Sequence, residues 1–599
     1  MRARPSPLLL VLVAGSALSA PVPEWVKESD AAAQPMLRTI ADFFPEGAQR
    51  LGVEGVDDKV VDLGPGHDER YRASLDSAAK ELEAKLPTTR DPKVREDMQI
   101  LIDDARTKIE AGKLEDALLL PFYKPARTAF GGVFVLLDER IPKERRTAAL
   151  VRLRRYAGIE PGSTPITELA RARTVERLGD KKLLGPFRPE VEQALADSKR
   201  LVAGIGDLFK KFGIAGYEPA LAKLGEQIED YDRWVTAEIL PRSRSESGLP
   251  PDLYAVYLKS FGVTASPEAV LRSALISFSE IRNEMNALAP LVAKAKGLPA
   301  TGDYRTVLRA LKKQQISNAS VLSLYSKRLS ALEEITRREH VVTLPQRKAA
   351  IRLASEAESA MQPAPHMNAP RLIGNTGEYG EFVLPLVTPG APGQKDLRTD
   401  DFTFDAATWT LTVHEARPGH ELQFTRMIES GVSIARAVFA FNSANVEGWA
   451  LYAEAEMKPY LPLDGQLVSL QHRMLRAARA FLDPMLNLGQ ISPEEARRVL
   501  MEECVLSEGM AKQEVDRYTF RAPGQATSYF VGYQSMLETR QRAELALGGH
   551  LDRQRFHDFV LAQGLLPPDL RLRAVMHEFV PAEKARAAAS RPGSAHTPN

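Results

Sequence analysis

TVHEARPGHELQF, residues 412–424, places two histidines, His414 and His420, six residues apart with Pro418 and Gly419 between them. On an unbroken helix each residue turns about 100°, so these imidazoles would point roughly 120° apart and could not share an ion. Pro418 cannot donate a backbone hydrogen bond, its ring clashes with the preceding turn, and Gly419 adopts angles that other residues avoid. The stretch therefore predicts a helix that bulges or restarts between the histidines, which is compatible with one shared metal ion.

A third metal ligand is needed, because a catalytic zinc site typically has three protein donors and one open position. NVEGWALYAEAEM, residues 445–457, has a helical pattern and supplies Glu447. Each residue alone has a structural alternative: an interior histidine with satisfied hydrogen bonds, or a glutamate favoured near a helix start by the dipole. The three together, with the Pro-Gly break, favour a metal site of His414, His420 and Glu447.

Composition is that of an ordinary globular protein. The chain has 599 residues, 44% of them hydrophobic, and 79 basic against 78 acidic residues give a net charge of +1. This balance gives no indication of a nucleic-acid partner or of an anionic membrane surface. The single cysteine, Cys504, cannot form an intramolecular disulfide, so we expect the fold to depend on packing.

The first twenty residues have the pattern of a secretory signal peptide. Arg2 and Arg4 precede a short apolar run, Leu8–Val13, and a small-residue cleavage region, Ala17–Ala20. The apolar run is too short to span a bilayer, and no cysteine follows it to carry a lipid anchor. We expect residues 1–20 to be removed and the mature protein to be periplasmic or secreted, without stable membrane insertion.

The rest of the chain is predicted to be mainly α-helical. Apolar residues recur at three- and four-residue steps from residue 25 to about 345 and again from 405 to about 585. Between them lies a Pro- and Gly-rich segment in which EYGEFVLPLV, residues 378–387, indicates a short strand. We therefore expect a large multi-helix protein with a small antiparallel β element near the site, and a disordered tail over residues 586–599.

HEARPGHELQ (414–423) and VEGWALYAE (446–454) together resemble the bacterial family catalogued as domain of unknown function 885, grouped with zincin-like metallopeptidases. Similarity continues through residues 522–540 and 556–571, so the likeness covers about 235–585 and leaves 21–234 as an N-terminal helical region. It implies a mostly helical fold with a small sheet and one zinc ion in a cleft. It further implies His414, His420 and Glu447 as ligands and Glu415 as the catalytic carboxylate.

Other residues are candidates for roles around such a zinc ion. Glu415 would take a proton from the attacking water and pass it to the leaving amine. Tyr529 is the candidate donor to the oxyanion, with Tyr518 and Tyr533 as alternatives, although a core aromatic is an equal interpretation of Tyr529. Gln423 and Glu454 are candidates for orienting ligands.

Substrate contacts are predicted at three positions. Arg517 and Arg521 are candidates for holding a peptide carboxylate, which would favour exopeptidase action, and Tyr379 lies at the start of the predicted strand. In zincins an edge strand in that position pairs with the substrate backbone, so residues 378–387 are the candidate strand. The remaining histidines considered, His366, His557 and the His577-Glu578 pair, are interpreted as structural or surface residues.

The leading hypothesis is an exported zinc metallopeptidase acting on peptides. A zinc amidohydrolase acting on other amides would use identical site chemistry, so substrate profiling is needed to distinguish the two. A non-catalytic helical binding protein is a third hypothesis, and Glu415 argues against it, because a purely structural zinc site needs no free carboxylate beside a ligand.

Overall fold

The structure is a computed structural model that describes residues 22–388, 397–398 and 400–589. The predicted signal peptide, residues 1–20, lies outside the described residues, as do residues 590–599 of the predicted tail. Residues 586–589 belong to the last helix, which ends at Ala589, so the prediction of disorder is wrong for these residues.

The N-terminal helical region is confirmed as helical. Ten α-helices precede residue 235 in the described part of the chain: α1 (Glu24–Phe43), α2 (Pro45–Leu51), α3 (His67–Lys85), α4 (Pro92–Leu118), α5 (Pro125–Phe134), α6 (Lys143–Arg146), α7 (Ala148–Tyr156), α8 (Ile166–Leu178), α9 (Arg188–Phe212) and α10 (Glu218–Trp234).

Fifteen more α-helices follow within the described ranges: α11 (Pro251–Ser260), α12 (Pro267–Ala295), α13 (Tyr304–Lys312), α14 (Asn318–Arg338), α15 (Glu356–Met361), α16 (Asp405–Glu415), α17 (His420–Ser430), α18 (Ser443–Met457), α19 (Leu463–Asn487), α20 (Pro493–Glu502), α21 (Glu508–Asp516), α22 (Gln525–Ala546), α23 (Arg553–Ala562), α24 (Pro568–Ala574) and α25 (Val580–Ala589). Helices of the described residues all lack the combination of length and apolarity that a bilayer crossing requires.

Short helical turns join several of these elements. Those with π geometry are Val235–Ile239, Ala435–Phe439, Arg517–Arg521 and Val575–Phe579, and those with 3₁₀ geometry are Leu86–Thr88, Leu240–Arg242 and Lys458–Tyr460.

The small sheet differs from its prediction in two ways. It has the order β1 (Ala350–Leu353), β3 (Glu381–Leu384), β2 (His366–Asn368), with β1 parallel and β2 antiparallel to β3. The strand predicted within 378–387 is therefore confirmed as β3, but the sheet is mixed rather than antiparallel. The edge position predicted for this strand is wrong, because β1 and β2 occupy both of its sides. A separate pair, β4 (Val387–Thr388) and β5 (Leu397–Arg398), is antiparallel.

The N-terminal helices pack against the site-bearing half. One apolar core joins α1, α3 and α4 to Phe439 and Leu566, which lie far downstream in the sequence. Beside this core, the buried Asp97 carboxylate of α4 accepts a hydrogen bond of 2.7 Å from Arg436 Nε. A buried ion pair of this kind is costly to break, since removing one partner leaves an uncompensated charge. The N-terminal region is thus attached to the segment that connects α17 to α18.

Helices α18 and α22 cross with their backbones in direct contact. A Cβ added to Gly448 would lie 2.5 Å from the carbonyl carbon of Gly532, and one added to Gly532 would lie 1.9 Å from the Ala444 oxygen. Only glycine permits this approach. The crossing places Glu447 of α18 beside Tyr529 of α22, so two glycines determine the distance between two candidate site residues.

We predict that Gly532→Ala lowers the free energy of unfolding by about 1–3 kcal/mol, because the added methyl group forces the two helices apart. Denaturant unfolding followed by circular dichroism measures this change. Gly225→Ala is the matched control: this helical glycine has its nearest neighbour, Val202 Cγ1, at 3.7 Å from an added Cβ. Its replacement should preserve or raise stability, since alanine has the higher helix propensity. Equal stability of the Gly532→Ala variant and the parent would contradict the crossing described here.

Candidate metal centre

The predicted break between the histidines is confirmed. Helix α16 ends at Glu415 and α17 begins at His420, and the peptide bond before Pro418 is cis. Gly419 lies against the preceding helix, where an added Cβ would be 2.0 Å from the His414 carbonyl oxygen. From the neighbouring helix, Trp449 Nε1 donates a hydrogen bond of 3.0 Å to the Pro418 carbonyl. The break is therefore supported from both sides.

This local geometry brings His414 and His420 together. Their ring centroids are 4.7 Å apart, with an angle of 80° between the ring planes. Glu447 Oε2 lies 3.4 Å from His414 Nε2 and 3.2 Å from His420 Nε2. One ligand atom from each residue thus lies within 4.8 Å of the others. In a tetrahedral zinc site with bonds of about 2.0–2.2 Å, donor atoms are roughly 3.3–3.6 Å apart, so this donor set fits the ion.

Glu454 orients the first histidine, as the sequence suggested. Its Oε1 lies 2.7 Å from His414 Nδ1, and its Oε2 accepts a hydrogen bond of 2.8 Å from Thr410 Oγ1. Burial alone would raise the pKa of Glu454, but the charges of Arg476 and His414 outweigh it and lower the pKa to about 2. The carboxylate is thus anionic and accepts a hydrogen bond from His414 Nδ1, which turns Nε2 toward Glu447.

Gln423 has a different role from the one proposed for it. Its Nε2 donates a hydrogen bond of 2.9 Å to Asn445 Oδ1, and both side chains are buried. Asn445 lies two residues before Glu447 at the start of α18. Gln423 therefore connects the two helices that carry His420 and Glu447, and orients the helices rather than a ligand ring.

Glu415 lies on the same cavity as His414. The cavity has a volume of about 80 Å³ and includes both side chains in its lining. Burial raises the pKa of Glu415, and the nearby His414 and His420 partly offset this effect. Among the described residues no side chain donates a hydrogen bond to its carboxylate. A buried carboxyl group without a donor is costly in a purely structural role.

Tyr529 also lines this cavity. Its ring is nearly parallel to that of His414, at a centroid distance of 6.5 Å, and its hydroxyl accepts a hydrogen bond of 3.3 Å from Arg517 Nη1. Burial and the Glu447 carboxylate raise the pKa of Tyr529, so the phenol keeps its proton and can donate it. Of the alternatives, Tyr518 is buried and donates to Glu514 Oε2 at 2.7 Å, and Tyr533 packs beside Arg473.

The three candidate substrate contacts lie in different places. Arg517 lines the cavity with His414 and Glu415. Arg521 lines a separate cavity of about 140 Å³ and lies 3.8 Å from Asp516 Oδ2. Tyr379 is 40% exposed, and its carbonyl accepts a hydrogen bond from Arg140; it does not line the cavity at His414.

The other histidines have structural surroundings. His557 is fully buried, with Nδ1 2.7 Å from the Val341 carbonyl and Nε2 2.8 Å from Tyr452 Oη. His366 Nδ1 lies 2.9 Å from the Ala364 carbonyl. Glu578, beside the exposed His577, forms an ion pair with Lys93 at the surface.

One group of site residues was missed in the sequence. His472, Arg476 and Arg479 of α19 all line the cavity. Burial, together with the charge of Arg476, lowers the pKa of His472 to about 3, so this imidazole is neutral. The signal that could have found them is their spacing: positions 472, 476, 479 and 483 place polar groups on one face of an otherwise apolar helix.

Comparison with known proteins identifies the family. The model of the family "Bacterial protein of unknown function (DUF885)" matches residues 45–576, so this chain belongs to that family, over a longer stretch than its motifs indicated. The comparison with curated proteins found no match.

Two solved structures share the fold. The first is "The crystal structure of the putative lipoprotein from Colwellia psychrerythraea", 20% identical with a TM-score of 0.72. The second is "The structure of a putative lipoprotein of unknown function from Shewanella oneidensis", 17% identical with a TM-score of 0.69. Each match covers 93% of this chain and 100% of the other.

Proposed function

We propose that this member of the DUF885 family is an exported zinc metallopeptidase that hydrolyses peptide bonds. The observation that carries the proposal is the clustering of donor atoms from His414, His420 and Glu447 within 4.8 Å of one another, with the buried carboxyl group of Glu415 on the cavity that His414 lines. The signal-peptide pattern of residues 1–20 supports export, as does the description of two structurally similar proteins as putative lipoproteins.

The charges around the cavity favour a bound cation. Five carboxyl groups face or adjoin it: Glu415, Glu447, Glu454, Glu514 and Asp401. The cationic side chains beside them are Arg476, Arg479, Arg517 and Lys312, which pairs with Asp401 at 2.6 Å. A divalent cation held by His414, His420 and Glu447 would change the net charge of this buried group from negative to positive. The chemistry that zinc supplies in such a site is a lowered water pKa and a polarised substrate carbonyl.

The side chains of this chain have distinct tasks in the proposed reaction. Glu415 accepts a proton from the attacking water and delivers it to the leaving amine. Tyr529 donates its phenolic proton in a hydrogen bond to the developing oxyanion. Glu454 holds His414 in one orientation, and the buried surroundings exclude bulk water, which strengthens each of these electrostatic interactions.

The purified protein is expected to contain one zinc ion per chain, and the His420→Ala and Glu447→Ala variants should lose it, because each removes one of three donors. Metal analysis after dialysis measures the stoichiometry. His577→Ala is the control, since it alters a second His-Glu pair that lies exposed at the surface. Retention of the full zinc content by both ligand variants would contradict the assigned site.

Glu415→Gln should retain the zinc ion and lose hydrolysis by about 10²–10⁴-fold in kcat, because the amide cannot accept the proton from water. The assay is release of products from a mixed peptide library, detected by mass spectrometry. Parent-like activity in this variant would remove Glu415 from the mechanism.

Tyr529→Phe should lower kcat by about 10²–10³-fold with little change in KM, because its hydrogen bond forms in the transition state. Steady-state kinetics on one cleaved peptide separates the two parameters. Tyr533→Phe, one turn further along α22 and outside the cavity lining, is the matched control. An equal loss in both variants would show a general effect of the helix instead.

A further inference from the structure

Three arginines line the cavity beside the candidate metal ligands. Arg476 and Arg479 project from α19, and Arg517 begins the π-helical turn after α21. None of them is a metal ligand, and the proposed proton transfers do not use them. Removing a guanidinium group from water is costly unless its N–H donors find partners. The donors that lack a protein partner therefore indicate where a ligand with acceptor atoms could bind.

The hydrogen bonds of these arginines are incompletely satisfied. Arg479 is paired with Glu514 through two hydrogen bonds of 2.7 Å, yet its Nη1 is buried without a partner. Arg476 lies 3.6 Å from Glu454, and its Nε is also buried without a partner. Both side chains are at least nine-tenths buried.

Arg517 has the greatest unused donor capacity. Within the described ranges no carboxylate lies within 4.0 Å of its guanidinium, and its one hydrogen bond goes to the Tyr529 hydroxyl. A guanidinium has five N–H donors in a planar fork that matches a carboxylate through two parallel hydrogen bonds. The Arg517 side chain is only partly buried, so a ligand carboxylate in the cavity could reach its remaining donors.

The cavity lining also includes apolar side chains. These are Leu411, Leu475, Leu506, Met510 and Phe402. The Asp401 carboxylate in the lining is paired with Lys312 at 2.6 Å. A volume of about 80 Å³ lined by guanidinium groups and apolar side chains suits one small group that has a negative end and a hydrophobic side chain. The terminal residue of a peptide has this chemistry.

The position of Arg517 sets how much of a substrate lies beyond the cleaved bond. The Tyr529 phenol contacts Arg517 and lies close to the Glu447 carboxylate, so the guanidinium is one side chain away from the metal ligands. One residue of extended chain spans about 3.3–3.6 Å. Arg517 and Glu415 line the same cavity, so a substrate whose terminal carboxylate binds Arg517 would hold an amide bond close to its C-terminus near Glu415.

We propose that the site is specific for an amide whose amine portion is an α-amino acid with a free carboxylate and an apolar side chain. This inference rests on the proposed function. The C–N bond breaks, the water oxygen joins the acyl carbon, and the water proton taken up by Glu415 goes to the amine nitrogen. The products are a carboxylic acid and a free amino acid. Such a substrate is either the C-terminal residue of a peptide or an N-acylated amino acid.

The test compares matched substrates on the zinc-loaded protein: a hexapeptide ending in leucine, the same peptide as its C-terminal amide, and N-acetyl-leucine. We expect kcat/KM for the free-acid peptide to exceed that for the amide at least 100-fold. Arg517→Gln should lower the free-acid value about 100-fold and leave the amide value within twofold, with partial recovery in Arg517→Lys. Arg473→Gln, on α19 but outside the cavity lining, is the control.

The outcomes separate the possible failures. Equal cleavage of acid and amide, or an equal loss on both in Arg517→Gln, would overturn the proposal and assign Arg517 to the oxyanion through Tyr529. Cleavage of the free-acid hexapeptide but not of N-acetyl-leucine would support the proposal and identify peptides as the substrates. Cleavage of both would support it and include N-acylated amino acids.

A binding measurement separates this proposal from the proposed function. Calorimetry of the free-acid and amide peptides with the zinc-loaded Glu415→Gln variant does not depend on turnover. Binding of the free acid alone, without hydrolysis by the parent protein, would support the carboxylate site while contradicting the peptidase. Absence of binding and of hydrolysis would overturn both.

Discussion

Two histidines six residues apart can reach one ion only because the chain leaves helical geometry between Glu415 and His420. The change of direction brings the imidazole centroids to 4.7 Å and leaves Glu415 on the cavity that His414 lines. Gly419 packs where any side chain would collide with the His414 carbonyl, and Trp449 holds the Pro418 oxygen. The four residues between the helices, 416–419, thus specify the relative position of both rings, and the surrounding helices must pack around that geometry.

Different contacts hold the surrounding helices in positions that fit this geometry. The contact of Gly448 with Gly532 brings α18 against α22, while Gln423 joins α17 to α18 through Asn445. Helix α19 supplies buried arginines whose charges hold Glu454 and Glu514 in their anionic forms. These buried charges are mutually dependent, because removal of one leaves its partner uncompensated in a poorly solvated site. The site is therefore part of the packed interior rather than an addition to its surface.

Much of the fold and the clustering of His414, His420 and Glu447 could be predicted, for physical reasons that particular residues show. Helical periodicity is local, and Pro418-Gly419 marks a break that depends on backbone chemistry alone. The sheet was harder, since β1 and β2 are short and carry no alternating pattern, so the neighbours of β3 could not be inferred. Arg517 and Arg521 look equivalent in sequence, yet the π-helical turn directs them to different cavities. The role of α19 depends on long-range packing, which no local pattern encodes.

We propose that His414, His420 and Glu447 together bind one metal ion. The most direct test is an anomalous difference map from crystals of the purified protein, with data collected on both sides of the zinc absorption edge. We expect a single peak within bonding distance, about 2.0–2.2 Å, of both Nε2 atoms and of a Glu447 oxygen. A map without a peak there, or with zinc bound only at other residues, would contradict it.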